Sequence, residues 1–443
     1  MKRSILVLIV GLCAVASLIS CGGSSGSNLP PSHLVNRVLA SQGVTSATSF
    51  GGLAIVDGQN DTLPRVGRIS AGSSPGLMAI TPSRNMVVAF DASSNNVYAV
   101  DTTRESSMGT VQLPGPTSSM VVPTPAPTGY AAVPTASVNG YAFLGAVEVM
   151  NLSSGAITTT IGVTNAQTVI SDATGSQLLV FSNDSDAVTV LFPGSAVPPV
   201  DTSCFNNPPN TVCAILTGFS RPVYGIMSGG TAYILNCGLQ CGGSQPASVA
   251  VLDLASLTVT NTIPVDAATW ALLEGSTLYV AGTSPLATNN ACTGQTWGNP
   301  PQPTAATTCG RLDIINLSSM TVSPGIVITD GYHDRMDMSL NGQLFIGSYG
   351  CTNIGNVNYP SGEVRGCLTI YNTTTGAVVI PPDNGDVGGF QSFTSRYVEY
   401  VAEGGNLRVY DTTKDILLIN DFITGGTIGV VGYVGDVKAI DFF

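Results

Sequence analysis

The chain has 443 residues, of which 44% are hydrophobic and 9% charged, with 51 glycines and 27 prolines. Soluble domains ordinarily carry about 25% charged residues, so the low charge agrees with an exported protein. The formal net charge of −12 leaves no basic surface for phosphate, which excludes nucleic acid as a partner and argues against electrostatic docking onto anionic lipid.

The N-terminus reads as a targeting segment. Lys2 and Arg3 precede an almost wholly apolar run from Ile5 to Ile19, too short and too early for a spanning helix. The run ends in Leu18-Ile19-Ser20-Cys21, which resembles the bacterial lipobox. That resemblance implies a signal peptide over 1–20 and lipidation at Cys21, whose thiol carries a diacylglycerol and whose amine is acylated, with palmitate among the expected chains. Several acyl chains anchor stably where one binds reversibly. No Asp follows Cys21, and in lipoproteins of this kind that implies outer-membrane sorting, facing periplasm or cell surface. Residues 21–32 form the tether: GGSSGSN is flexible, and Pro30-Pro31 stiffens its end. Cleavage leaves 443 − 20 = 423 residues with a net charge of −12 − (+2) = −14. The rest, 33–443, is expected to be one repeat domain.

Within it one short phrase recurs: apolar, any, apolar, apolar, then usually Asp or Asn. It begins at Leu53, Val97, Val147, Val188, Val249, Leu312, Leu368 and Leu407, with spacings of 44, 50, 41, 61, 63, 56 and 39. A period near 40 stretched by insertions predicts propeller blades. The unit from Leu77 shows how each is built. Leu77–Ile80 predicts an innermost strand, Met86–Phe90 a second, Val97–Val100 a third and Gly109–Leu113 a fourth, with Pro, Asn, Asp and Thr at the turns. The Asp or Asn closing each third strand accepts backbone N–H groups further on and so holds a tight turn. Paired apolar residues in that strand suit burial on both faces between neighbouring blades.

The expected fold is all-β, a propeller of eight four-stranded blades. Seven blades follow if the unit around Val188, which ends in Phe192 instead of Asp, is an excursion. The ends complete the ring. Val437–Ile440 reads as an innermost strand with no successor, and Val38–Gln42 as a second strand lacking a first. One C-terminal strand joining three N-terminal ones removes the sheet edges.

Cys13 lies in the signal segment and Cys21 takes lipid. The remaining eight cysteines fall into four close couples: Cys204 with Cys213, Cys237 with Cys241, Cys292 with Cys309, and Cys351 with Cys367. An oxidising envelope favours bridges over thiols, and each couple sits within one inter-strand segment, so four sequential disulfides are expected. A zinc site would need ligands from distant loops, since His33 and His333 are the only histidines.

Third strands followed by Thr-Thr-Gly-like turns, as in Leu368-Thr369-Ile370-Tyr371-Asn372-Thr373-Thr374-Thr375-Gly376, resemble those of the YVTN-type, WD40-like bacterial surface propellers. The family's second-strand motif is degenerate here, its nearest forms being Val180-Phe181-Ser182-Asn183 and Tyr279-Val280-Ala281-Gly282. The resemblance implies a propeller over about 400 residues; members differ in function, so no activity transfers with it.

Two places suggest a site. Three cysteine couples lie between second and third strands, after Leu235, Val280 and Ile346, so their loops leave on one face. Long loops on a rigid scaffold often bind. At the axis, His333-Asp334-Arg335-Met336-Asp337 begins an innermost strand, and some of these side chains are expected in the channel. His333, Asp334, Arg335 and Asp337 are thus the candidate channel residues. No Cys-x-x-Cys-His haem site occurs, and two histidines cannot build a multi-copper cluster. No resident cofactor is therefore expected. The leading expectation is a non-enzymatic, membrane-anchored propeller presenting stapled loops to an envelope protein or glycan. The alternative is a channel-centred hydrolase or lactonase using His333, Asp334 and Asp337 with a divalent metal.

Overall fold

The recurrent phrase forms the third strand of a four-stranded blade eight times over: Gly52–Asp57, Asn96–Asp101, Leu144–Asn151, Ala187–Pro193, Ser248–Asp253, Gly310–Asn316, Leu368–Asn372 and Asn406–Asp411. The structure is a computed structural model that describes residues 31–44, 51–64, 67–182, 184–194, 211–283, 296–297, 302–303, 309–351, 367–381, 385–417, 427–428, 430 and 432–441. The segment 1–30, with Cys21 and most of the tether, lies outside the described residues, as do Cys204 and Cys292.

Alternation explains the continuous apolar character of these strands. Successive side chains point to opposite faces, and here each face meets a neighbouring blade. In the first blade Leu39, Leu53 and Ile55 pack with Met78 and Val87 of the second. Val38, Ala54 and Val56 pack instead with Tyr400 and Val409 of the eighth. Apolar layers of this kind fill all eight junctions between consecutive blades. Fully burying one Val or Leu stabilises by about 1.5–3 kcal/mol, so each junction holds its blades strongly.

The end of the third strand behaves as its chemistry requires. Asp101 accepts from Thr103 and Arg104 N–H at 2.8 and 2.9 Å. Asn151, Asp253, Asn316 and Asn372 each take the N–H groups two and three residues on, and Asp57 and Asp411 take the one two residues on. The residue four positions after each is left-handed: Asp61, Glu105, Gly155, Leu257, Met320, Gly376 and Asp415. The side-chain bonds hold this turn even where the left-handed residue is not glycine. The unit ending in Phe192 lacks the device, yet it is a complete blade of Thr168–Ser171, Leu178–Phe181, Ala187–Pro193 and Thr211–Thr217. The ring therefore has eight blades, and the seven-bladed alternative is set aside.

Innermost strands Pro75–Ile80, Ser119–Val121, Thr168–Ser171, Pro222–Ser228, Trp270–Glu274, Tyr332–Met338, Val387–Ser392 and Tyr433–Asp441 each contact the next around the axis. The last of them closes the ring by pairing with Asn36–Gly43, in a register that sets Val38 against Ala439 and Ala40 against Val437. Ion pairs lock the ends further. Arg37 meets Glu105 at 2.5 Å with both side chains buried, and Arg396 reaches Asp61 at 2.7 Å, beside a Tyr400 hydroxyl that donates to the same carboxylate.

Where the eighth blade meets the first, the inner strands approach too closely for side chains. A Cβ on Gly388 would lie 2.2 Å from the Gly435 carbonyl oxygen, and one on Gly389 would lie 2.0 Å from an Asp436 carboxylate oxygen. Gly389→Ala is expected to destabilise by about 1–3 kcal/mol through overpacking. Gly76→Ala has no atom within 4 Å of the added carbon and is expected to stabilise by about 0.4–1 kcal/mol through the unfolded chain. Denaturant midpoints of the two variants check this; equal stability for Gly389→Ala and the parent would refute the tight approach.

Candidate binding site at the channel mouth

The inner strand of the seventh blade carries the predicted cluster, and a bulge decides where its side chains go. Tyr332 pairs with Tyr349 and His333 with Ser348, but the next partner of Gly347 is Arg335, so Asp334 is an extra residue. A bulge re-aims side chains by breaking the strict alternation. Asp334 and Arg335 consequently both line the axial cavity, of about 490 Å³, together with Tyr332, Trp270, Tyr224 and Lys438.

Of the four candidate channel residues, His333 and Asp337 do not join them. His333 is fully buried and packs toward the sixth blade, where a Cβ on Gly310 would lie 2.8 Å from its ring. Neither ring nitrogen makes a well-aligned hydrogen bond. Burial pulls the imidazole down to about 4, opposed only by the nearby Thr329 backbone. Asp337 accepts from Met338 N–H at 3.0 Å and Ser392 N–H at 2.6 Å, away from the cavity lining. Its carboxylate faces the fully buried Glu399, which meets no donor of its own. Burial, then the Asp337 charge, drives Glu399 well above the usual carboxylate range. Among the described residues no group of three or more His, Cys, Asp or Glu side chains is placed to hold a metal ion.

What the cavity does assemble is an aromatic arc with charges at one edge. Tyr224 and Trp270 stack at 3.8 Å with an interplanar angle of 16°, and the Arg335 guanidinium lies 5.8 Å from the indole centroid. Arg335 is held by the Gly388 and Asp334 carbonyls at 3.1 and 2.7 Å, with the Asp334 carboxylate at 3.3 Å. Burial pushes the Tyr224 phenol up to about 12, the Arg335 charge opposing it. The Tyr332 and Tyr349 rings lie 5.3 Å apart at the mouth. Two blades further round, on the inner strand of the first blade, Lys438 bonds Asp436 at 2.8 Å, and Asp436 also takes the N–H groups of Met78 and Val437. Leu77, Met78, Met120 and Val169 complete an apolar opposite wall.

Antiparallel strands put the second-to-third loops and the blade-to-blade links on one face. The cavity residues stand at the starts of inner strands, so the cavity opens on that face. Cys237 is bridged to Cys241 there and Cys351 to Cys367. Cys309, on the same rim, and Cys213, on an outer strand, are also disulfide-bonded; Cys204 and Cys292, their expected partners, fall outside the described residues. The Cys351–Cys367 bridge closes a loop of sequence separation 16, a length at which closure stabilises by about 3 kcal/mol in the chain-entropy account. Around the mouth Phe143, Leu144, Tyr349 and Tyr433 are 60%, 58%, 45% and 56% exposed.

Sequence reasoning missed Tyr224, Trp270, Tyr332, Tyr349, Asp436 and Lys438 as site residues. For Asp436 and Lys438 a signal existed: two opposite charges two residues apart inside an otherwise largely apolar innermost strand. For the tyrosines none did.

The fold and its cavity define the chain as an eight-bladed β-propeller. No protein-family model matches it, and no curated protein matches it. Among solved structures it is similar to dihydro-heme d1 dehydrogenase NirN in complex with DHE, at a TM-score of 0.58 and 12% identity over 93% of this chain and 78% of that one. Kuenenia stuttgartiensis hydrazine synthase aligns at 0.47 and 11% identity, over 83% and 96% of the two chains. The Myceliophteria thermophila Cps50 (Swd1) β-propeller domain aligns at 0.48 and 9%, over 74% and 93%.

The buried acids and the histidine give stability a pH dependence. Asp313 is raised from 3.8 to about 7 by burial and then by Asp266, so its contribution is full at acid pH and is lost as pH climbs from about 4 to 7. His333 runs oppositely: lowered from 6.5 to about 4, it contributes fully above about 6.5 and loses that as pH falls. Stability should therefore rise on going from about pH 8 to 6.5, where only the buried acids act. Asp313→Asn should flatten that rise, as read from denaturant midpoints across pH. An unchanged slope in the variant would exclude Asp313 as its source.

Proposed function

We propose that the chain is an exported, lipid-anchored binding propeller of the bacterial envelope. It presents the stapled face to an envelope protein or glycan and acts without catalysis. The observation that carries this reading is the gathering of bridged loops and exposed apolar side chains on the channel-mouth face. Phe143, Leu144, Tyr349 and Tyr433 sit on loops or strand ends held by a rigid ring, the arrangement typical of binding surfaces. The Lys2-Arg3 start, the apolar run and the Leu18-Ile19-Ser20-Cys21 box support anchoring through Cys21 in the outer membrane. The third-strand phrases support kinship with the YVTN-type surface propellers. The hydrolase or lactonase reading loses support, because His333, Asp334 and Asp337 do not converge on the channel.

Two experiments test the reading. Cells grown with an alkyne palmitate analogue are expected to label the parent and not Cys21→Ser, which should shift from the membrane to the soluble fraction. Equal membrane retention of the variant would overturn the anchor. A photo-crosslinking residue at Phe143 or Tyr433 is expected to give a discrete adduct in intact cells. The same residue at Tyr397, on the opposite face and 54% exposed, is expected to give none. Adducts from Tyr397 alone would reverse the assigned face.

A further inference from the structure

Beyond the partner on the rim, the axial cavity has a chemistry of its own. Its wall from the fifth to the seventh blade is aromatic, and the facing wall, with Met78, Met120 and Val169, is apolar. The charges at the edge do not balance. Arg335 and Lys438 stand beside Asp334 and Asp436, and Asp386, bonded to Gly350 N–H at 2.9 Å, adds a third carboxylate close to Asp334. Asp436 is saturated by Lys438 and two backbone donors. Asp334 is not: its Oδ1 is buried with no hydrogen-bond partner, beside the Tyr332 and Tyr349 rings. A buried carboxylate oxygen with no side-chain donor is costly, but the Asp334 side chain as a whole stays 24% exposed at the cavity, so a cationic donor can meet the carboxylate there and offset the excess of negative charge.

We propose that the channel mouth is a binding site for an organic ammonium ion bearing an apolar body, with Asp334 as its counter-charge, Tyr332 and Tyr349 as its aromatic cage, and the Met78–Met120–Val169 wall taking the apolar part. Aromatic faces attract cations through their quadrupoles, more strongly when the site is desolvated. The volume of about 490 Å³ falls within the range of small-molecule pockets. The electrostatics agree. Burial raises Asp334, and the charges of Asp436 and Asp386 raise it further against Arg335, so the site is one where added positive charge is stabilised. The net charge of −12 draws cations to the protein as a whole. The competing chemistry, an anionic head on Arg335 and Lys438, finds both cations already occupied by carboxylates.

The test is calorimetric titration of the oxidised protein, residues 22–443, with three probes of one shape: 2-phenylethylammonium, 2-phenylethanol and 3-phenylpropanoate. The ammonium probe is expected to bind in the range of about 1 mM or tighter, with the alcohol and the carboxylate at least roughly tenfold weaker. Asp334→Asn should weaken the ammonium probe about tenfold, the loss of a partly buried ion pair. Tyr349→Ala, at a side chain exposed enough to spare the fold, should weaken it severalfold. Equal or tighter binding of the carboxylate or alcohol, or no binding of the ammonium probe, would overturn the proposal. So would an Asp334→Asn variant that binds it unchanged. Should Asp334→Asn fail to fold, Tyr349→Ala decides. Rim crosslinking from Phe143 reads independently of all three probes, so either reading can fail alone.

Discussion

The pairing of Asn36–Gly43 with Tyr433–Asp441 joins the two ends of a ring whose eight blades each lean on two neighbours. Without that pairing the first blade has three strands and the apolar layer between the eighth and first blades loses Val434, Val437 and Ala439. Open, the first and last blades would each present an unpaired apolar face and an exposed strand edge. Closed, the apolar faces of the first and eighth blades cover each other, and the register follows from the alternation, since a slip of one residue would turn Val38 and Ala40 to the wrong blade. The glycine pair at 388–389 lets the inner strands come together at this seam, which is also why the eighth blade contributes no bulky side chain to the channel there.

That seam shapes the site. The inner strands of the fifth, sixth and seventh blades bring Tyr224, Trp270 and Arg335 into a stack, and the Arg335 guanidinium is then fastened to the Gly388 carbonyl. That bond ties the seventh blade to the eighth. The single-residue bulge at Asp334 places adjacent residues together in the cavity, which a regular strand forbids. Similar register shifts occur near Met78, Tyr224, Gly389 and Gln42, so the mouth is built from bulged strand starts in several blades.

The rim adds a second layer. Disulfides at Cys237–Cys241 and Cys351–Cys367 fasten insertions whose own sequences are poor in apolar residues and could not build a core. Rigid staples serve where packing cannot. Tyr349, beside the Cys351–Cys367 bridge, then stands on a fixed support, so an occupant there meets a surface that needs little ordering.

The sequence alone determined the architecture because a propeller is written in local terms. Each third strand carries its own apolar alternation, and all but the one ending at Phe192 carry their own Asp or Asn, whose side chain makes the hydrogen bonds it requires with atoms only two or three residues away. Ring closure was legible for the same reason: an inner-strand phrase with no successor at Val437 and a second-strand phrase with no predecessor at Val38. The site was only half legible. His333-Asp334-Arg335-Met336-Asp337 marked the right strand, but assigning side chains to the channel by alternation sends His333 and Arg335 to one face. The bulge at Asp334 breaks that parity, and a bulge is set by the register with Gln343–Tyr349 across the sheet. Tyr224, Trp270, Tyr349 and Lys438 come from four blades up to 214 positions apart. Their meeting is a property of the closed ring, and only the tertiary structure decided it.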